Sequence, residues 1–597
     1  MQSLASIAAL VLTTTPIIAK PYNTFDGDGF PACHDAAINK TPVRASGKGH
    51  MWYDTMCSDD PKTIVIRTEF FNGISNLVLD EGAASGTVDI EAGVTFPQLA
   101  EWLHGHGASM GYTLVNWNIT IAGAVAMGGH RSSIREDSMV SAGVLSMDII
   151  NGNGDIVTID RDNNNDDWLA ASTSLGLLGI IARIRFKVYP DSKLYAQQEV
   201  LSEEEVLNGD IYDLIAPYAT ANLWWWPYMR KFHWRYYDEI PLTLSDQEGF
   251  QSTFSITDLE AGVAKTTLES GKFLPSSNWL FETTAFELWS APNFKERTTW
   301  QDITTWPVYG WNFDILIGGL YPDQKPEWEL GLHSYTLELA FPVVIANQVL
   351  KRVRTAFDAE ARTGRTMAAT YRSGINIKFG KTHLDFLGPV TIDALNKADW
   401  AKGAIMFDFP SFHPMVGDGE RFNEQFYITL ATTLIDEFPA RPHWTKNTRQ
   451  VFGNITKNID PRHLARFKGY IFMLSRFATF TNASPELRLC PQQDHNASHD
   501  LRVKPRVSRL MRTHVFLIPP AHFRTEGRLH ALLEGKDANS TDSAEDAPEG
   551  NGAGVGWCAA SGLTFFVRLA AGPGLTWPAC LGPGYAAVAR HTLRFSH

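Results

Sequence analysis

Two segments carry residues that could do chemistry: Val43-Arg-Ala-Ser-Gly-Lys-Gly-His50 and Gly123-Ala-Val-Ala-Met-Gly-Gly-His-Arg-Ser-Ser133. Both are runs of small residues, with glycines spaced through them and a histidine each. A short strand that breaks into such a loop can turn successive backbone N–H groups toward a phosphate. Two such loops on one sheet could hold a dinucleotide along its length. Neither spacing is the Rossmann G-x-G-x-x-G or the phosphate loop G-x-x-x-x-G-K-[ST]. Either loop alone reads equally well as a set of glycine turns.

The elements that would position these loops are legible around them. Thr63-Ile-Val-Ile-Arg67, Thr87-Val-Asp-Ile-Glu91 and Ile180 to Val188 alternate as strands do. Thr95-Phe-Pro-Gln98 is a capping box with proline in the first turn, and its helix places Leu99, Trp102 and Leu103 on one face and ends at Gly105 or Gly107. Val144–Ile150, Asn151-Gly-Asn-Gly154 and Ile156–Ile159 spell a hairpin. After Pro190 the chain becomes rich in tryptophan and tyrosine, as in Leu223-Trp-Trp-Trp-Pro227 and Trp234-Arg-Tyr-Tyr237. These clusters are either plain core or the wall of a substrate cavity. Two amphipathic helices follow, with Ala346, Val349, Leu350, Val353 and Phe357 on one face of the first and Phe422, Phe426, Leu430 and Leu434 on the second. Tyr335-Thr-Leu-Glu-Leu339 is a strand between them. The pattern is α+β throughout.

The 597 residues exceed one average domain. The formal charge of −13, with no basic stripe to offset it, argues against nucleic acid as a partner. Five cysteines without C-x-x-C or H-E-x-x-H spacing give no metal site. Residues 1–19 read as a signal peptide, with an apolar run from Leu4 to Leu12 and small residues up to Ala19. That expectation places the protein in the secretory pathway or outside the cell. A short membrane anchor, and so membrane association, is the alternative. Cys33 and Cys57 could pair if the chain is secreted, or both stay free.

From about Val43 to Lys468 the chain resembles the vanillyl-alcohol-oxidase-type flavoproteins with a PCMH-type FAD domain. More narrowly it is similar to the sugar-1,4-lactone oxidases (gulonolactone, galactonolactone and D-arabinono-1,4-lactone oxidases) of fungal type. The residues that carry the likeness are Gly47-Lys-Gly-His50, Thr120-Ile-Ala-Gly-Ala124, Gly129-His-Arg-Ser-Ser133, Ser174-Leu-Gly-Leu-Leu-Gly-Ile-Ile181, Trp226-Pro227, Leu337-Glu-Leu-Ala-Phe-Pro342 and Arg441-Pro-His-Trp-Thr-Lys446. The last resembles the His-Trp-x-Lys signature of the aldonolactone oxidases and is the most specific.

The resemblance implies a PCMH-type FAD-binding domain over 20–195, an α+β substrate (cap) domain over 196–468 and an atypical tail, disordered or mis-spliced, over 469–597. It implies that Ser46, Gly47, Lys48 and Gly49 offer backbone N–H groups to the FAD pyrophosphate, and that His50 carries a covalent flavin bond or is an ordinary loop histidine. Gly123, Gly128, His130, Ser132 and Ser133 would run under the flavin ring, with Ser132 near its reactive nitrogen. Gly176, Gly179 and Ile180 would pack on the adenosine part. Lys446 would hydrogen-bond the reacting oxygen of the substrate and stabilise developing negative charge, and His443 would orient Lys446 or act as base. The expected reaction is oxidation of a sugar lactone by hydride transfer to FAD, with O2 reduced to H2O2; the alternatives are another polyol or secondary-metabolite alcohol, or another electron acceptor.

The chain departs from the family's pattern in three places. Where the family's active-site strand often carries an acid two residues before an arginine, Ser373-Gly-Ile-Asn-Ile-Lys-Phe379 has Asn376 and Lys378. The family's first βα unit is missing between Cys33 and Val43, and its closing segment does not follow Lys468. These gaps leave one further reading, an inactive truncated relative that does not bind FAD.

Overall fold

The computed structural model describes residues 43–49, 64–111, 119–151, 156–163, 165–252, 255–271, 275–322, 324–326, 330, 334–363, 374–392, 397–412, 424–452 and 455–476. All lie in one compact unit; Ser540–His597 lie outside the described residues. So do residues 1–19, Cys33, His50, Cys57, Phe422 and the tail beyond Arg476. Among the described residues no helix is long and apolar enough to cross a membrane.

The α+β expectation holds, as two large sheets with helices packed on them. The first part opens with two short parallel strands, Val43–Ser46 and Ile64–Arg67. A six-stranded antiparallel sheet follows, centred on Ile180–Pro190, which pairs with Gly86–Glu91 on one side and Val144–Ile150 on the other. The hairpin Val144–Ile150 and Ile156–Asp160 forms as its turn residues indicated. The helix Phe96–His104 starts at Thr95, whose hydroxyl caps Gln98 N–H while the Gln98 side chain reaches back to Thr95 N–H. It ends on Gly105 and buries Leu99 and Leu103 in the core of this part.

The second sheet has eight strands in the order Val308–Trp311, Lys193–Ser202, Lys231–Ile240, Thr220–Trp226, Ile375–Gly380, Ala404–Phe412, Ser334–Pro342, Arg441–Pro442. Its two faces differ completely. Alternation along each strand sends Leu337, Leu339, Phe407, Phe409, Ile375, Ile377, Leu223 and Trp225 to one side. There they meet Val349, Leu350, Val353 and Phe357 of helix Ala346–Arg362, and Leu430 and Leu434 of helix Glu424–Glu437. The same alternation must send Glu338, Asp408, Asn376, Lys378 and Trp224 to the other side. Register joins them in a row: Glu338 opposite Asp408, Asp408 opposite Asn376, Asn376 opposite Trp224, Trp224 opposite His233. Helix Pro461–Arg476 runs through position 468, with Phe467 in the core of the first part and Tyr470 and Ile471 against it.

Candidate active site

The glycine loops converge as two loops on one cofactor require. Strand Val43–Ser46 hands the chain to Gly47, Lys48 and Gly49, and Ser46 O accepts from Thr68 N–H at 2.9 Å. Gly47 lies against Thr120, the residue that caps helix Ile121–Ala126, which contains Gly123. A Cβ on Gly47 would stand 2.4 Å from the Thr120 hydroxyl, so only glycine lets the two loops meet. Leu175 N–H donates to Ala126 O at 2.8 Å and brings the turn with Gly176 and Gly179 onto the same helix. Gly179 has φ +142° and its missing Cβ would strike Ile150 O; Ile180 then opens the central strand, buried. Glycines whose missing side chains let backbone N–H groups approach closely suit a diphosphate, and the set fits FAD.

From Gly128 the chain crosses to the eight-stranded sheet. Ser133 N–H donates to Phe379 O at 2.9 Å, and Lys381 N–H donates to Ser133 O at 2.7 Å. The Ser132 hydroxyl is held between the cap strands: it donates to Ala221 O and accepts from Phe379 N–H at 3.1 Å. His130, two residues before it, puts Nε2 2.5 Å from Glu338 Oε1.

Glu338 is the hub of the site. Its Oε2 accepts from Lys378 Nζ at 2.9 Å and from Lys446 Nζ at 2.8 Å. Both ammonium groups also reach Asp408 Oδ2, each at 3.0 Å, and Thr336 Oγ1 donates to Asp408 Oδ1. Two carboxylates and two ammonium groups therefore share one buried volume with no net charge. Burial alone would raise both carboxyls, but Lys378 and Lys446 outweigh it, together with His130 in the case of Glu338; Glu338 sits well below the usual carboxylate range and Asp408 below it. Burial would likewise lower the Lys378 ammonium, yet Asp408 and Glu338 hold it above ordinary lysine. Each ammonium has three N–H donors, and the contacts to the carboxylates use two. Among the described residues nothing else engages the third donor of either, which leaves it for a ligand oxygen. Both lysines keep a little exposure, 15% and 18% of their side chains, which is how such an oxygen would reach them.

Arg441-Pro-His-Trp-Thr-Lys446 brings His443 and Lys446 to this cluster. His443 N–H donates to Glu338 O at 3.0 Å, and the Asn447 side chain bonds Glu338 O and His443 O at 2.8 and 2.9 Å. The His443 ring lies 5.4 Å from that of His130. Its Nδ1 accepts from Thr445 N–H at 3.2 Å. Burial pushes its imidazole down to about 3, so it is neutral, with the ring proton on Nε2. His130, Glu338 and His443 have ligand-type atoms within 4.8 Å of one another, but a dication there would face two ammonium groups already on Glu338.

Of the residues singled out in the sequence, the cluster brings together Lys446, His443 and His130, with Lys378 read there as a departure; Ser132 stands beside it, engaged by Ala221 and Phe379. Sequence reasoning missed Glu338 and Asp408. The signal was present: each is a lone carboxylate inside an apolar alternating strand, Leu337-Glu338-Leu339 and Phe407-Asp408-Phe409.

Residues 31–160 match the family described as FAD binding domain, so the cofactor is FAD. The chain is 31% identical to the D-arabinono-1,4-lactone oxidase of Kluyveromyces lactis over 215 residues, 35% of this chain and 39% of that protein. It is 30% identical to the enzyme of the same name from Eremothecium gossypii, over 31% of this chain and 34% of that one. These matches span between a third and two-fifths of those relatives' lengths. A probable L-gulonolactone oxidase of Arabidopsis thaliana matches more widely, at 21% identity over 72% of this chain and 75% of its own. A solvent-stable cholesterol oxidase shares the fold, with a TM-score of 0.55 at 16% identity over 73% of this chain and 88% of its own.

Proposed function

We propose that this protein is an FAD-dependent oxidase of a sugar 1,4-lactone of the D-arabinono-1,4-lactone kind, with O2 as electron acceptor and H2O2 as product. One observation carries the reading: two ammonium groups, each with a donor to spare, sit on the sheet face that meets segment Gly128–Ser133. Ser46–Gly49, Gly123–Ser133 and Gly176–Ile180 would hold FAD, which would supply the hydride acceptor. The residues of the cap do the rest. Lys446 and Lys378 would hydrogen-bond the oxygen of the substrate carbinol and stabilise the negative charge that grows there as its proton passes to solvent water at their exposed edge. Their positions are fixed beforehand by Glu338 and Asp408, so little reorganisation is needed. His443, with Nδ1 engaged by Thr445, orients the Lys446 turn.

A second reading is favoured by the wall beyond Asn376. Trp224 stands directly opposite it, with the Trp289 ring 6.0 Å away, and Arg235 is boxed by Trp224, Trp289, Phe294 and Trp306. Such a wall suits a bulkier or aromatic alcohol. The test is a panel of sugar lactones, open polyols and aromatic alcohols offered to purified full-length protein, read by peroxide and by anaerobic bleaching of the flavin. Peroxide from lactones supports the first reading. Turnover of aromatic alcohols alone supports the second. Bleaching by lactones without peroxide means another acceptor. The bond to His50 is tested in the same preparation, by whether flavin stays with acid-precipitated protein. The secretory route proposed from residues 1–19 is tested by the N-terminal mass of the mature chain, which a membrane-anchored protein would leave uncleaved.

A further inference from the structure

The segment Lys381–Thr391 leaves the Asn376 strand and ties the cofactor loops to the lysine turn. On the cofactor side, Ser138 Oγ donates to Lys381 O at 2.9 Å and Phe386 N–H donates to Leu169 O at 3.0 Å. Phe386 and Leu387 are buried in the core of the first part, although they belong in sequence to the second. Pro389 Cδ and Thr173 Cγ2 lie 3.0 and 3.3 Å from where a Cβ on Gly128 would be, so the turn rests directly on the flavin loop. On the other side, Leu387 O accepts from Trp444 Nε1 at 2.8 Å, and Thr391 O accepts from Arg441. Trp444 is stacked on Phe452 and stands two residues before Lys446.

Asp385 holds this turn in shape. It is fully buried. Its Oδ2 accepts from Thr173 Oγ1 at 2.8 Å and its Oδ1 from Gly388 N–H at 2.5 Å. Its own backbone is clamped as well: Asp385 N–H donates to Thr391 Oγ1 at 3.1 Å, and that hydroxyl donates to Asp385 O at 2.7 Å. Among the described residues no lysine or arginine pairs with this carboxylate. A buried carboxylate held only by neutral donors carries a desolvation cost that packing does not require. What it delivers is geometry, because one side chain fixes both the turn and the contact of the turn with Thr173.

We propose that Asp385 is a positioning residue: by locking the turn Asp385–Thr391 between Thr173 and Trp444 it sets Lys446 in fixed relation to the flavin loop at Gly128. The proposal rests on the reading that Lys446 acts on a substrate beside FAD. The experiment compares full-length holoprotein with Asp385→Ala, Asp385→Asn, Thr173→Val, Trp444→Phe and the Asp385→Ala/Trp444→Phe double variant. FAD per chain, visible circular dichroism of the bound FAD, kcat and KM are measured for each.

Asp385→Ala is expected to keep its FAD, to lose about tenfold to a hundredfold in kcat with KM nearly unchanged, and to alter the visible dichroism. Asp385→Asn keeps an acceptor for Gly388 N–H and is expected to restore both the dichroism and most of kcat. Thr173→Val removes one donor at constant volume and is expected to lose about threefold; it decides the matter if Asp385→Ala does not fold. The double variant is expected to be no slower than Asp385→Ala, since both changes release one strap. Unchanged kcat and dichroism in folded Asp385→Ala, an Asn variant as poor as the Ala variant, or losses that follow FAD content would each overturn the proposal. If the wild type oxidises no lactone, the functional reading fails, while the dichroism still decides whether Asp385 positions the site.

Discussion

The two sides of the proposed site are built by different means. The cofactor side, Ser46–Gly49 with Thr120–Ser133 and Gly176–Ile180, works through backbone and through missing side chains. The cap side works through four ionised side chains from four separate segments. The first is a matter of shape and the second of charge balance. Each should therefore fail to a different kind of substitution.

The largest effect is expected at the charges. Lys446→Met keeps the length of the side chain and removes one ammonium, leaving two carboxylates facing Lys378 alone. Steady-state peroxide production should fall about 10²–10³-fold while FAD stays bound; loss of FAD with full activity per remaining flavin would break the distinction between the sides. Next comes shape. Gly47→Ala places a methyl group 2.4 Å from the Thr120 hydroxyl. It should release FAD, measured as absorbance per chain, with Thr120→Gly in the same chain recovering part of it. An Ala variant that retains FAD would mean the two loops need not touch.

The pH response sharpens the comparison further. Glu338 and Asp408 have folded values below their unfolded ones, so their stabilisation is present above about pH 4–5 and is lost as pH falls through the depressed values. Lys378 has a raised folded value; its contribution is full below about pH 10 and is lost only as pH rises through that value. Between those limits stability should decline gently below about pH 6.5, where the unfolded chain protonates His443 while the folded one, held at about 3, does not. Lys378→Met removes the largest force lowering Asp408, so its acid unfolding, followed by circular dichroism, should begin at higher pH than in the wild type. An unmoved acid limb would mean that Asp408 is held down by something else. The smallest effect belongs to the frame: Thr95→Ala removes the capping hydroxyl and should cost about 1 kcal/mol in chemical unfolding without changing FAD content or kcat.

The same contrast explains what could be read from the chain. Glycine loops, the capping box at Thr95, the paired hairpin strands and the apolar face of helix Ala346–Arg362 are local patterns, each complete within a few residues, and the structure contains them. The charged cluster is not local. Glu338, Lys378, Asp408 and Lys446 come together only through the strand order of the eight-stranded sheet, which no spacing encodes. Lys446 was found because its neighbours form a motif; Asp408 has none. The strap is a similar case: Asp385 and Thr173 are distant in sequence, and only burial of both makes their contact visible.

The alternation that builds the charged face also guards it. Were strand Ser334–Pro342 or Ala404–Phe412 to slip by one residue, Glu338 or Asp408 would turn into the layer of Phe341, Phe407 and Phe409, and leucine or phenylalanine would take its place beside the lysines. The misaligned molecule would bury one carboxylate unpaired and leave the other to face both lysines alone. The cluster thus favours one strand register over its one-residue neighbours, and the charged face exists only when both strands are correctly threaded.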